Sequence, residues 1–88
     1  MREARLSTPL PPFILMQTIE AVTRLGSLKR AAEELGVTPS AVSHRVRLVE
    51  EQFGQRLFER DGQGIRSTRN ALDLADAVAK AMAGIEAT

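Results

Sequence analysis

Four residues near the middle of the 88-residue chain, Gly36-Val37-Thr38-Pro39, leave the surrounding backbone little choice. Gly36 suits a left-handed turn that stops a helix. Thr38 is a cap residue, and Pro39 suits the first position of the next helix, where its missing N–H costs nothing. One helix therefore ends and another starts within a three-residue turn. Upstream, Leu28, Ala31, Ala32 and Leu35 share one side of a short helix over 28–35, with Ser27 as its N-cap. Downstream, the spacing predicts a helix from Pro39 to about Phe53. At about 100° per residue, Val46, Val49 and Phe53 fall within about 40° of Val42. Ser40, Ser43, His44 and Arg47 cluster on the opposite face.

This order of elements is that of a helix-turn-helix, in which the second helix lies in the major groove and meets base edges with its N-terminal residues. Ala32 is small enough for the two helices to cross closely, Val37 returns to the core, and Val42 and Val46 lock the second helix onto the first. The outward residues are short hydroxyls, one imidazole and one guanidinium. The first turn also presents unpaired backbone N–H groups that suit a phosphate. Net charge is only +1, yet no acid occurs from Leu35 to Val49. A local positive face is thus compatible with a nearly neutral chain.

The remaining stretches frame this unit. Residues 1–11 read as a flexible arm. Pro12 opens a helix over Phe13–Leu25, which carries an apolar stripe and stops at Gly26. Beyond Gly54, Arg56–Glu59 reads as a short strand, Asp61-Gly62-Gln63-Gly64 as a tight loop, and Ile65–Ser67 as a second strand. The hairpin resembles a wing, with Arg60 and Arg66 beside its loop as contacts for phosphate or the minor groove. Thr68 caps a last helix from Arg69 to about Glu86. Its residues Leu72, Leu74, Ala75, Val78, Ala79, Met82 and Ile85 form two adjacent apolar ridges, more than a small core needs. They are the candidate homodimer surface. The expected organisation is an arm at 1–11, a DNA-binding domain at 12–68 and a linker or dimerisation helix at 69–88.

Other chemistries find little support. With no cysteine and one histidine, thiolate and His-rich metal sites are excluded, and neither metal nor cofactor is expected. His44 has no nucleophile or ligand partner in its vicinity, and Glu50 and Glu51 read as a solvated helix surface. An enzyme is therefore not expected, and no catalytic residues are assigned. Gly62 and Gly64 make a turn, not a phosphate loop, because no Lys-Ser/Thr follows. No stretch approaches the roughly 18 apolar residues of a membrane span, and the N-terminus is not a secretory signal, so a cytoplasmic location without membrane partners is expected.

The run GSLKRAAEELGVTPSAVSHRVRLVEEQFGQRLFER, with the opening LPPF and Ile19-Glu20-Ala21, resembles the N-terminal DNA-binding domain of LysR-type transcriptional regulators. The opening resembles that of the branch containing glycine-cleavage and beta-lactamase regulators. The resemblance implies a mainly α fold: a winged helix-turn-helix with a three-helix core and a short two-stranded wing, followed by a long C-terminal linker helix that pairs two subunits. It places DNA-reading positions on Thr38, Pro39, Ser40, Ser43, His44 and Arg47, and a wing contact on Arg60. Ser27 and Arg30 fall where family members approach the phosphate backbone. The implied partner is double-stranded DNA with a pseudo-palindromic operator. A small-molecule effector would bind a further C-terminal domain, which is absent from this sequence. Ser67 stands where the family has a buried leucine, Ala71 where it has glycine, and Val49-Glu50 where Leu-Glu is usual. The alternative is a winged-helix module for protein interaction or dimerisation without independent DNA reading.

Overall fold

The helix boundaries follow the local signals closely. The computed structural model describes residues 12–62 and 64–87; the arm expected over 1–11 lies outside them. Helices α1 (Phe13–Leu25), α2 (Leu28–Leu35) and α3 (Pro39–Phe53) precede strands β1 (Phe58–Asp61) and β2 (Gly64–Ser67), and α4 (Arg69–Ala87) follows. Pro12 sits one place before α1, where its carbonyl accepts from the Leu15 amide at 2.9 Å. Ser27 and Thr38 cap α2 and α3, accepting from the amides of Arg30 and Ala41, each at 3.1 Å. Gly36 adopts φ 72°, a left-handed conformation that lets the Val37 amide reach back to the Ala32 carbonyl at 3.0 Å. The turn thus closes on itself and sets the direction in which α3 leaves.

The three helices surround a core of Ile19, Val22, Ala31, Ala32, Val42 and Val49, all at most 1% exposed. Each fully buried Val or Ile contributes roughly 1.5–3 kcal/mol relative to exposure. Phe53 is only partly buried at the edge of this cluster. Arg24 links α1 to α2 by bonding Glu20 through Nε at 2.8 Å and Glu34 through Nη1 at 3.1 Å. These bonds, to Glu34 first and Glu20 second, push the guanidinium pKa further up, and Arg24 holds the Glu34 carboxyl below the usual carboxylate range. Glu34 is solvated, so the network fixes helix orientation more than it adds stability.

The hairpin is shorter at its start and tighter at its tip than the sequence pattern suggests. Pairing begins at Phe58, not Arg56, and runs Phe58↔Ser67, Glu59↔Arg66, Arg60↔Ile65 and Asp61↔Gly64. Arg56 and Leu57 lie outside the ladder because this stretch is pulled toward the helices. The Leu57 carbonyl takes the Thr68 amide at 2.9 Å, and the Leu57 amide donates to Glu50 at 2.8 Å. Thr68 has three roles: its hydroxyl accepts from the Ala71 amide at 3.3 Å, capping α4, and lies 3.0 and 3.1 Å from the carbonyls of Arg56 and Leu57.

Helix α4 packs mainly along α1. Ala71, at 0% exposure, carries its methyl inside the core, and Ser67 is half-buried in β2. Ala75 and Val78, expected to face a partner subunit, are instead buried within this chain, and Leu74 packs partly against the core. The reason is helical spacing: positions 71, 74, 75 and 78 form one stripe, and that stripe meets α1. Leu72 is 45% exposed, Ala79 is exposed and Met82 half-buried; the Ile85 side chain lies outside the described residues. The architecture is mainly α: a three-helix core with a two-stranded wing and a C-terminal helix. Among the described residues, no helix is long and apolar enough to cross a membrane.

Candidate nucleic-acid interface

The valines of α3 decide what its other face presents. Val42 and Val49 are fully buried and Val46 nearly so, which turns Ser40, His44 and Arg47 out to solvent. Ser43 is different, being only half-exposed. Thr38 and Pro39 are exposed at the helix start. The acids Glu50 and Glu51 come only in the last turns of α3, so the first two turns offer an anion no acidic side chain of their own.

The wing stands beside this face. Alternation along β1 puts Phe58 and Arg60 on its inner side, opposite Ser67 and Ile65, and Glu59 with Arg66 on the outer side. Arg60 donates from Nη2 to Ser43 Oγ at 3.3 Å. Arg66 instead approaches Glu59 at 3.7 Å across the strands, in an exposed pair. The two wing arginines expected as phosphate or minor-groove contacts thus lie on opposite faces of the hairpin. A groove of about 330 Å³ separates α3 from the inner side of the wing. Arg47, Arg56 and Arg60 line it, together with Ser43 and Glu50.

On α2, Arg30 is exposed, and the Ser27 hydroxyl accepts from its backbone amide. That hydroxyl keeps its own proton to donate. The Thr38 hydroxyl is in the same position at the start of α3.

Two residues at this site escape the sequence reading. Glu50, taken as surface solvation, is half-buried and uses Oε2 to accept from the amides of both Leu57 (2.8 Å) and Phe58 (3.2 Å). It anchors the base of the wing to α3. On a helical wheel Glu50 falls at about 80° from Val42, beside Ser43 and away from the outward face. That offset was the available signal, but its partners lie seven and eight residues further along and only the fold brings them back. Arg56 carries no motif of its own and reaches the groove because the chain turns after Gly54.

Residues 13–72 match the model of the bacterial regulatory helix-turn-helix proteins of the lysR family. The chain belongs to this family. Its relatives include the HTH-type transcriptional regulator TrpI of Pseudomonas aeruginosa, 44% identical over 72 residues, which are 82% of this chain and 24% of TrpI. The LysR-family chain thus spans about a quarter of that relative's length. A crystal structure of a LysR-family transcriptional regulator from Eggerthella lenta superposes with a TM-score of 0.68 at 32% identity, covering 75% of this chain and 94% of that one. The BenM DNA-binding domain, solved in complex with catB site 1 DNA, has a TM-score of 0.80 over 86% of this chain and 85% of its own; at 20% identity this likeness concerns the fold alone.

Proposed function

We propose that this LysR-family domain binds double-stranded DNA in a sequence-specific manner, as the DNA-binding part of a bacterial transcriptional regulator. The observation that carries this reading is the outward face of α3. Ser40, His44 and Arg47 project from a helix whose valines are buried, next to a groove lined by three arginines. The BenM domain of the same fold is solved with DNA, which supports the reading. Helix α3 would enter the major groove, with Thr38, Pro39, Ser40, Ser43, His44 and Arg47 nearest the bases. Ser27 and Arg30 would meet the phosphate backbone, Arg60 the backbone or minor groove beside it, and Arg66 a flanking phosphate once released from Glu59. The module acts in the cytoplasm as a homodimer. Leu72, Ala79 and Met82 on α4 supply the partner surface, and Leu74, Ala75 and Val78 hold that helix in place from behind. A small-molecule effector acts through a C-terminal domain of the whole regulator.

Selection of bound duplexes from a random pool tests this directly. Enrichment of a two-fold symmetric motif is expected, with half-sites about 34 Å apart or at a multiple of that spacing. Recovery of random sequence would remove the specific reading. Arg60→Ala is expected to weaken binding to selected and random duplexes alike, and to lower the salt slope by about one counterion. Fluorescence anisotropy titrations at several salt concentrations measure both, and an unchanged slope would count against a backbone role.

A further inference from the structure

The geometry points to Ser43 as a positioning residue: its hydroxyl holds the wing arginine Arg60 in place for DNA and does not itself read a base. This rests on the DNA-binding reading above and changes the part Ser43 plays in it.

Several independent observations converge on the assignment. Ser43 Oγ accepts from Arg60 Nη2 at 3.3 Å across the groove. On the helical wheel Ser43 falls at about 100° from Val42, the side Glu50 shares, whereas Ser40 and His44 lie near 160–200°. Accordingly Ser43 is half-buried, while Ser40, His44 and Arg47 are exposed. Ser43 therefore looks across at the wing, not straight out along the reading face. The wing is already fixed at its base by Glu50 and by the Thr68 hydroxyl. Strand β1 leaves that anchor with Phe58 buried and Arg60 two residues on, its side chain on the same inner face. Without Ser43, a long guanidinium in a groove shared with Arg47, Arg56 and Glu50 has many rotamers to choose from. The hydroxyl selects one of them. It also fixes the distance between the part of the wing that meets the backbone and the part of α3 that meets the bases.

The assignment separates cleanly from base reading. A base-reading serine, once removed, relaxes preference at one base pair and leaves the salt slope alone. A serine that positions Arg60 reproduces the Arg60 phenotype. The experiment compares Ser43→Ala, Ser43→Thr, Arg60→Ala and the double variant on the selected duplex, on its single-base variants and on random duplex, at several salt concentrations. Thermal melts accompany each, and these variants are expected to melt with the unaltered chain because neither side chain is in the core. Ser43→Ala should lower affinity on all duplexes by a similar factor and flatten the salt dependence. Adding it to Arg60→Ala should change little, so that the double loss is at least about threefold smaller than the product of the single losses. Ser43→Thr, which keeps the hydroxyl, should restore both affinity and slope. Loss of preference at a single base pair, or multiplicative losses in the double variant, overturns the assignment.

A second readout needs no DNA. The order parameter of the Arg60 Nε–Hε group in the free protein should fall in Ser43→Ala and recover in Ser43→Thr. If no duplex is bound with any preference, the proposed function fails; an unchanged order parameter overturns the positioning role by itself.

Discussion

Val42→Asp is expected to abolish the cooperative thermal unfolding of the domain. Val42 has no exposed surface and lies on the stripe through which α3 contacts the rest of the core. A carboxylate there loses its water inside the apolar cluster that also holds Ile19 and Val22. Leaving a charge buried and unpaired costs several kcal/mol, and protonating it instead still leaves a polar group without partners. Domains have about 5–15 kcal/mol to lose, and a chain this short belongs at the low end. Circular dichroism should therefore give a shallow, non-cooperative melt, and the amide spectrum should collapse toward random-coil dispersion. A variant that melts as the unaltered chain does would show that α3 is not held by its valines, and its outward face would lose its definition as well.

The second large effect is on recognition. Arg47→Ala is expected to lower affinity for the selected duplex by about 1–3 kcal/mol, roughly fivefold to 150-fold, and to relax preference at one base pair. Arg47 is exposed, lies on the acid-free part of α3, and stands where the outward face meets the groove. A guanidinium so placed can take a guanine edge with two parallel hydrogen bonds, which an alanine leaves unmade. Titrations against a panel of single-base variants decide the matter. If every duplex loses the same factor, Arg47 is a phosphate contact and the bases are read by Ser40 and His44.

How much of this could be seen beforehand depended on whether a signal was local. Gly26, Gly36 and Gly54 all take left-handed conformations, and the helices stop where these residues stand. Ser27, Thr38 and Thr68 cap the helices that follow them, each accepting an amide three residues on. Such contacts are settled within one turn, so the residues themselves suffice. The inward valines of α3 were legible for a similar reason, since an apolar stripe of helical period has one side to bury.

Contacts between distant segments were harder to see. The ridges of α4 look alike on a wheel, and nothing local says that a stripe drawn from both, through Ala71, Ala75 and Val78, would be taken by α1. Glu50 looks like any surface acid until Leu57 and Phe58 return to its carboxylate. Arg60 and Arg66 flank the same turn, yet the strand register places one against Ser43 and the other beside Glu59. A register depends on pairing between two strands, and shifting it by one residue would bring the two arginines onto the same face.

For this LysR-family chain, then, the amino-acid order alone settled where each helix begins and ends and which side of α3 must be dry, because capping, glycine turns and helical periodicity act over a few residues. Only the folded structure decided which arginine faces the groove, what Glu50 and Ser43 hold, and which α4 residues are spent on the chain's own core. Those outcomes depend on segments far apart in sequence meeting at hydrogen-bond distance, and that distance is set by the packing of the whole domain.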